Sequence, residues 1–404
     1  MRLVIGELRK LWRLSIVLAL LLLSALFYLL FPSYYVTVGL GRNEPARTTL
    51  MLARSWAGRF GPTIDARERA EIAQDLAEEQ GRLAAFLAAD ERAQALGITS
   101  WDELRAADEA RLEDAAAGME LPDDGFSELW SAVLEDADGY LIQEMEAYLV
   151  GWDARAADPD YTVALPSYVG DAAFARVREL GMRAEDGYLS VYIMEMLGFY
   201  MRYLAVHVLA ATLVLVSPVL VRDRLHRVRP LQLTSRSGQR VLWAQLVATL
   251  VSAAGIAVVC LAAYAVPLAV LGVFDLGSSM VGSLAWDVRF PWFDMSMCLY
   301  LGIRAAMVLM LGLATAAFAF ALSRVSAGYV GVLLKVIPLF VVLGPLASPM
   351  LFDATFCIRE PWSGADWVIP PGGEAAALAL VAAAALALAC GLCAHQRSRS
   401  GLLR

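Results

Sequence analysis

The chain has 404 residues, 59% of them hydrophobic, with positive mean hydropathy and yet a formal net charge of −8. Apolar and charged residues must therefore be segregated along it, which excludes an ordinary soluble globule and makes this an integral membrane protein.

Met1 to Arg13 alternates apolar residues (Leu3, Val4, Ile5, Leu8, Leu11, Trp12) with Glu7, Arg9 and Lys10. This suits a short helix lying in the headgroup layer, or simple basic anchoring of the apolar run that begins at Leu14. A helix needs about 20 mostly apolar residues to cross a bilayer core. Six stretches meet that length: Leu14–Phe31, Tyr203–Val221, Val241–Ala263, Met297–Leu322, Ala327–Phe352 and Ala375–Ala394. The first reads as a retained anchor, because it exceeds a signal-peptide core of about 7–15 residues and no small-x-small cleavage site comes after it.

Between the first two runs, Gly41 to Glu195 carries 32 acidic against 14 basic residues, a balance of −18. Its apolar residues recur at three- and four-residue spacing, so it reads as a helical module. Thr63 or Asp65 is placed to cap a helix through Ile72, Leu76, Leu83, Phe86 and Leu87 that Gly97 ends. Ser100 with Glu103 has capping-box spacing and opens a second helix through Leu104 and Leu112. Further helices are expected at Phe126–Val150 and Asp171–Leu180, with turn-rich sequence at Gly151–Pro166. The acids Asp123, Asp124, Glu135, Asp136 and Asp138 lack calcium-loop order and read as a solvated surface.

The short segment Arg222–Arg240 holds six arginines (Arg222, Arg224, Arg227, Arg229, Arg236, Arg240) against one acid, Asp223. Basic residues accumulate on cytoplasmic flanks. With Arg2, Arg9, Lys10 and Arg13 before the first run and Arg397, Arg399 and Arg404 after the last, both termini and this segment are expected inside. The acidic module is then expected outside.

Pro267 and Gly272 suggest that the outer end of the third run leaves a straight helix, and Pro338, Pro345 and Pro349 do the same for the outer half of the fifth. Gly302 with Ala306, and Gly312 with Ala316, permit close helix contact in the fourth. Arg304 and Lys335 lie within spans, where a charge faces a substrate path or a partner helix, or snorkels to an interface. Cys298 and Cys357 are both near the outer face, so a bridge is conceivable, whereas Cys390 and Cys393 read as buried small hydrophobes.

Several chemistries are missing. There is no Gly-Lys-Ser/Thr phosphate loop in a chain with two lysines, no His-Glu-x-x-His and no Gly-x-Ser-x-Gly. No catalytic, cofactor-binding or metal-binding residue is expected in the chain.

From Leu231 the sequence runs Leu-Gln-Leu-Thr-Ser-Arg-Ser-Gly-Gln-Arg-Val-Leu-Trp-Ala-Gln-Leu, a polar turn leading into the third span. This resembles the cytoplasmic loop of ABC transporter permeases of the type-2 exporter class. The amphipathic start, six spans and large insertion after span one agree in layout. Asp223 stands where glutamate is usual, Pro230 interrupts the approach, and Gln245 replaces a frequent lysine.

The resemblance implies an all-α fold: a six-helix transmembrane bundle with a mainly helical extracellular domain. Its parts are an amphipathic segment (1–13), a first span (14–31), the domain (32–198), a second span (199–221), a coupling loop (222–240), spans three to six (241–394) and a cytoplasmic tail (395–404). It also implies a cytosolic ABC ATPase subunit that carries ATP and Mg and is contacted through Arg224, Arg227, Thr234, Ser235, Arg236, Gly238 and Arg240. A second permease copy or a related permease, and membrane lipid, complete the expected partners; nucleic acid is not one. Arg304 and Lys335 are the candidates for a substrate path. The preference for arginine over lysine suggests a GC-rich bacterial genome, and hence a bacterial plasma membrane. The competing reading is a multi-span sensor or scaffold whose domain binds an external ligand or partner.

Overall fold

The computed structural model describes residues 2–120, 122, 124–157, 175–176, 179, 187–225, 238–281, 291–353, 355–357 and 370–401. Among them the regular structure is helical, with two isolated bridges, Met280 to Ser296 and Pro291 to Cys357, and no strand.

Helix α1 (Arg2–Leu11) meets α2 (Leu14–Leu30) at a 56° bend. Five other helical segments are long and apolar enough to cross a membrane, and the bent pair brings the number of candidate spans to six. Helix α2 has 17 residues and buries only Leu20. It continues through Phe31 into the short α3 (Pro32–Tyr34) and a π-helical stretch, Tyr35–Leu40.

The acidic module starts with α4 (Glu44–Arg59), where the Asn43 side chain accepts the amide of Ala46. Helix α5 (Ala66–Ala89) opens with a full capping box: Asp65 accepts the Glu68 amide, and the Glu68 carboxylate accepts the Asp65 amide, both at 2.8 Å. The helix expected to run on to Gly97 is instead two. Asp90 takes extended backbone angles and accepts the amides of Arg92 and Ala93, ending α5 and starting α6 (Glu91–Leu96). Gly97 closes α6 in the left-handed region that favours glycine.

Helix α7 (Trp101–Ala116) has the expected Ser100 cap, but the Glu103 carboxylate reaches back to the Thr99 amide, one residue earlier than the usual box. The single helix expected at Phe126–Val150 also divides, into α8 (Phe126–Asp136) and α9 (Gly139–Ala157), with Asp138 at a positive φ of 54° in the break. Helix α9 runs through Gly151, where turns were expected. Most of Asp171–Leu180, and Asp123 of the acidic group, lie outside the described residues.

The base of this domain is an aromatic cluster. Trp56 meets Tyr148 edge-on at 5.0 Å, Trp152 lies 5.7 Å from Trp56, and both Tyr148 and Trp152 are buried. The polar tips are satisfied by backbone: Tyr148 donates to the Tyr188 carbonyl and Trp152 to that of Gly187. Tyr188 donates to Gly61 and accepts from Ser279, so the cluster ties the domain to the segment after the third span.

The bundle consists of α10 (Val191–Leu225), α11 (Gly238–Val270), α12 (Met297–Val325), a broken fifth span and α15 (Gly373–Gly401). The central helices are α10 and α12, whose spans are 67% and 61% buried. Helix α12 packs against α10, α11 and α15. Gly312 and Ala316 lie on its buried side, where a Cβ on Gly312 would meet Val208 at 3.1 Å. Gly302 and Ala306 face outward, and nothing comes within 4 Å of a Cβ built on Gly302. Beyond α11, Gly272 takes a left-handed conformation before a 3₁₀ turn, Val273–Leu276, as the third run's Pro267 and Gly272 suggested.

The fifth span has three parts: α13 (Tyr329–Val341), a π turn (Val342–Leu346) and α14 (Ser348–Phe352). Pro338, Pro345 and Pro349 fall one in each. Pro338 and Pro345 lack an amide hydrogen and crowd the preceding turn, while Pro349 falls in the first turn of α14, where a missing amide costs nothing; this accounts for the irregular half expected from sequence. Long helices overrun several expected boundaries: α10 begins eight residues before position 199, and α15 continues into the expected tail as far as Gly401.

Candidate functional site

The end of the bundle beside the acidic domain is termed the domain end, and the opposite one the loop end. The two described ends of the basic segment lie at the loop end, where α10 stops at Leu225 and α11 starts at Gly238. Arg224 falls in the last turn of α10, Gly238 is the first residue of α11, and Arg240 is exposed in its first turn. Arg227, Thr234, Ser235 and Arg236 lie outside the described residues. The two shoulders of the segment are thus long helices that pack on each other.

A polar hub joins these shoulders to α1. Glu7 is only 8% exposed, and one of its carboxylate oxygens lies 2.7 Å from Lys10 Nζ. Lys10 is also 3.6 Å from Asp223 at the end of α10. Gln245, buried in α11, donates through Nε2 to Glu7 at 3.3 Å and to Asp223 at 3.2 Å. Two carboxylates therefore share one ammonium and one amide. A partly buried arrangement of this kind is costly to break from one side, since a carboxylate is then left short of compensating charge. Trp12 adds a bond from its indole nitrogen to Ser252 Oγ at 3.0 Å, about four turns up α11 from Gly238.

Asp223, the one acid of the basic segment, and Gln245, a departure from the family pattern, are partners in space. Glu7 was not singled out. Its signal is positional: with Val4, Leu8 and Leu11 it occupies the inward side of α1, leaving Leu3 and Ile5 exposed.

The two in-span cations are 31 positions apart in the chain and sit in contrasting surroundings. Arg304 is fully buried in α12. Its guanidinium donates to the Tyr300 hydroxyl at 3.1 Å, to the Gly198 carbonyl at 3.3 Å and to the Phe352 carbonyl. It thus faces partner helices, gathering α10 and α14 onto α12. Lys335 is exposed on α13 and donates to Ser326 Oγ at 3.1 Å, in the connection between α12 and α13.

At mid-bundle, His207 of α10 is buried between Tyr264 of α11 (3.0 Å) and Ser24 of α2 (2.9 Å), with Phe27 stacked on its ring. This link ties the sparsely packed α2 to two other spans. None of the five cysteines is in a disulfide; Cys393 is buried in an apolar cluster of α11, α12 and α15, with Cys390 packed against it. Among the described residues no group of His, Cys, Asp and Glu could hold a metal ion. Asp124 of the acidic group pairs with Arg111, which holds its carboxyl below the usual range.

No protein-family model, no curated protein and no solved structure matches this chain.

Proposed function

We propose that this chain is the membrane-spanning permease subunit of an ATP-driven ABC exporter. The observation that supports it is the loop end: a segment rich in arginine, held between two long packed helices whose shoulders are joined to an amphipathic N-terminal helix by the Glu7–Lys10–Asp223–Gln245 hub. A short cationic element on rigid shoulders suits the transmission of a rigid-body movement between two docked bodies.

In this reading the loop end is cytoplasmic by the excess of arginine there, and the acidic domain is extracellular. A separate ATPase subunit, which holds ATP and Mg, docks on Arg222–Arg240. Its contacts are Arg224, Arg227, Thr234, Ser235, Arg236, Gly238 and Arg240, with Thr234, Ser235 and Arg236 leading. This chain contributes no ATPase activity and pairs with a second permease. The membrane is a bacterial plasma membrane.

The test is purification from the native membrane in mild detergent. An ATPase subunit should accompany the wild-type chain and be lost from a variant carrying Arg224→Glu, Arg227→Glu and Arg236→Glu. Retention by that variant rejects the docking assignment. Absence of any ATPase from the wild-type preparation favours the sensor or scaffold reading.

A further inference from the structure

The two ends of the fifth span are held very differently. At the domain end, the last carbonyl of α14, on Phe352, accepts from buried Arg304, and the next residue, Asp353, pairs with Arg202 of α10 at 2.7 Å. The backbones of α10 and Asp353 also touch: a Cβ built on Gly198 would lie 2.0 Å from the Asp353 carbonyl oxygen. Just beyond, the Phe356 amide donates to buried Glu374 of α15, and its carbonyl accepts from Trp292 at 2.7 Å. Phe352, Asp353 and Phe356 are thus fixed to α10, α12, α15 and the 291–292 segment at once.

At the loop end, α13 buries only Val332 and Val336. Val330, Leu333, Leu334 and Ile337 are exposed, and among the described residues the one side-chain bond that α13 donates is from Lys335 to Ser326. Between these ends lies the π turn Val342–Leu346, which contains Gly344 and Pro345. A Cβ on Gly344 would meet nothing closer than 3.8 Å, so this glycine is not there to admit a neighbour. π turns and internal prolines both interrupt the regular ladder of helix hydrogen bonds and concentrate bending at one place.

We propose that the fifth span is a one-ended lever. Arg304 anchors its domain end, the π turn is the pivot, and α13 swings at the loop end with Lys335 releasing and regaining Ser326. The two in-span cations then have opposite parts, one a fixed anchor and the other a releasable catch. The inference rests on the packing of the fifth span alone and does not depend on the exporter reading.

Pulsed electron–electron distance measurements on the full chain in lipid nanodiscs test it. Spin labels would replace the native residues in a cysteine-free background, with labelled chains diluted into unlabelled ones. One pair, Leu334→Cys with Trp243→Cys, reports the loop end against α11. The other, Met350→Cys with Val270→Cys, reports the domain end against the same helix. The loop-end pair should give a distance distribution at least about twofold wider than the domain-end pair, as expected for rigid-body motion about a local pivot. Lys335→Met should widen the loop-end distribution only, and Arg304→Met the domain-end one. Gly344→Ala with Pro345→Ala, which restores helix-forming residues at the pivot, should narrow the loop-end distribution. Equal widths in the wild type, or a loop-end distribution untouched by both the Lys335 and the pivot variants, would overturn the lever. Those two variants keep it falsifiable if Arg304→Met does not fold.

Discussion

The acidic domain and the bundle are both helical, yet their helices are held in place by different chemistry. In the domain the local sequence sets four helix starts: Asn43, Asp65, Asp90 and Ser100 all accept backbone amides of the turn they start. Surface pairs such as Arg59 with Asp75 and Glu71 add to this. In the bundle, α12 has a side-chain cap from Ser296 but α13 starts without one, and helices are positioned by a few long-range nodes: the Glu7 hub, His207, Arg304 and Arg202 with Asp353. The difference follows from the solvent. Water competes for every exposed amide, so caps are worth about 1 kcal/mol each and many are used. In lipid the helix ladder satisfies the backbone by itself, and what remains undetermined is how one helix sits on another.

The sharpest way to break this contrast is at a node. Gly198→Val places branched carbons where the Asp353 backbone already stands, and the expected result is loss of the cooperative bundle transition in detergent. Calorimetry of the whole chain should still show the domain transition; if both vanish together, the two regions are one cooperative unit and the contrast is wrong. Next in size, Trp152→Ala empties the aromatic base of the domain and should cost about 3–5 kcal/mol, in the domain transition above all.

The smallest effect is a pH dependence. Asp90 is held at about 2, below its ordinary 3.8, first by the Arg92 guanidinium and then by the amides it caps. Because the folded value is the lower one, its stabilisation is complete above about 4 and disappears as the pH falls through about 2. Asp90→Asn should therefore lower domain stability at pH 5 by about 1 kcal/mol and make little difference near pH 2. An unchanged gap between wild type and variant across that range would remove the charge from the account of this cap.

The apolar runs, a helix cap at Thr63 or Asp65, a helix end at Gly97 (though of the second of two helices) and the irregular fifth span were legible in the sequence because each rests on neighbours within a turn or two. The breaks at Asp90 and Asp138 were not: both lie inside good helical periodicity, and an aspartate in such a run reads equally well as a solvated surface residue. The partners of Arg304 were invisible for another reason. Two of its three acceptors are backbone carbonyls, which every residue has, and they come from positions 106 and 48 residues away. The Glu7 hub joins residues up to 238 apart, and no local pattern marks such a set. Of the basic segment, sequence supplied the residues and the structure its two shoulders.

Alanine is the common filler of these spans, and at Gly255 of α11 and Gly302 of α12 a methyl group would find room. At Gly198 even that smallest step is closed, because the chain itself passes through the volume the methyl would need. A substitution there could be accepted only after the crossing at Asp353 had first been rebuilt, so any variant of this protein that carries a side chain at 198 should also differ where the fifth span meets α10.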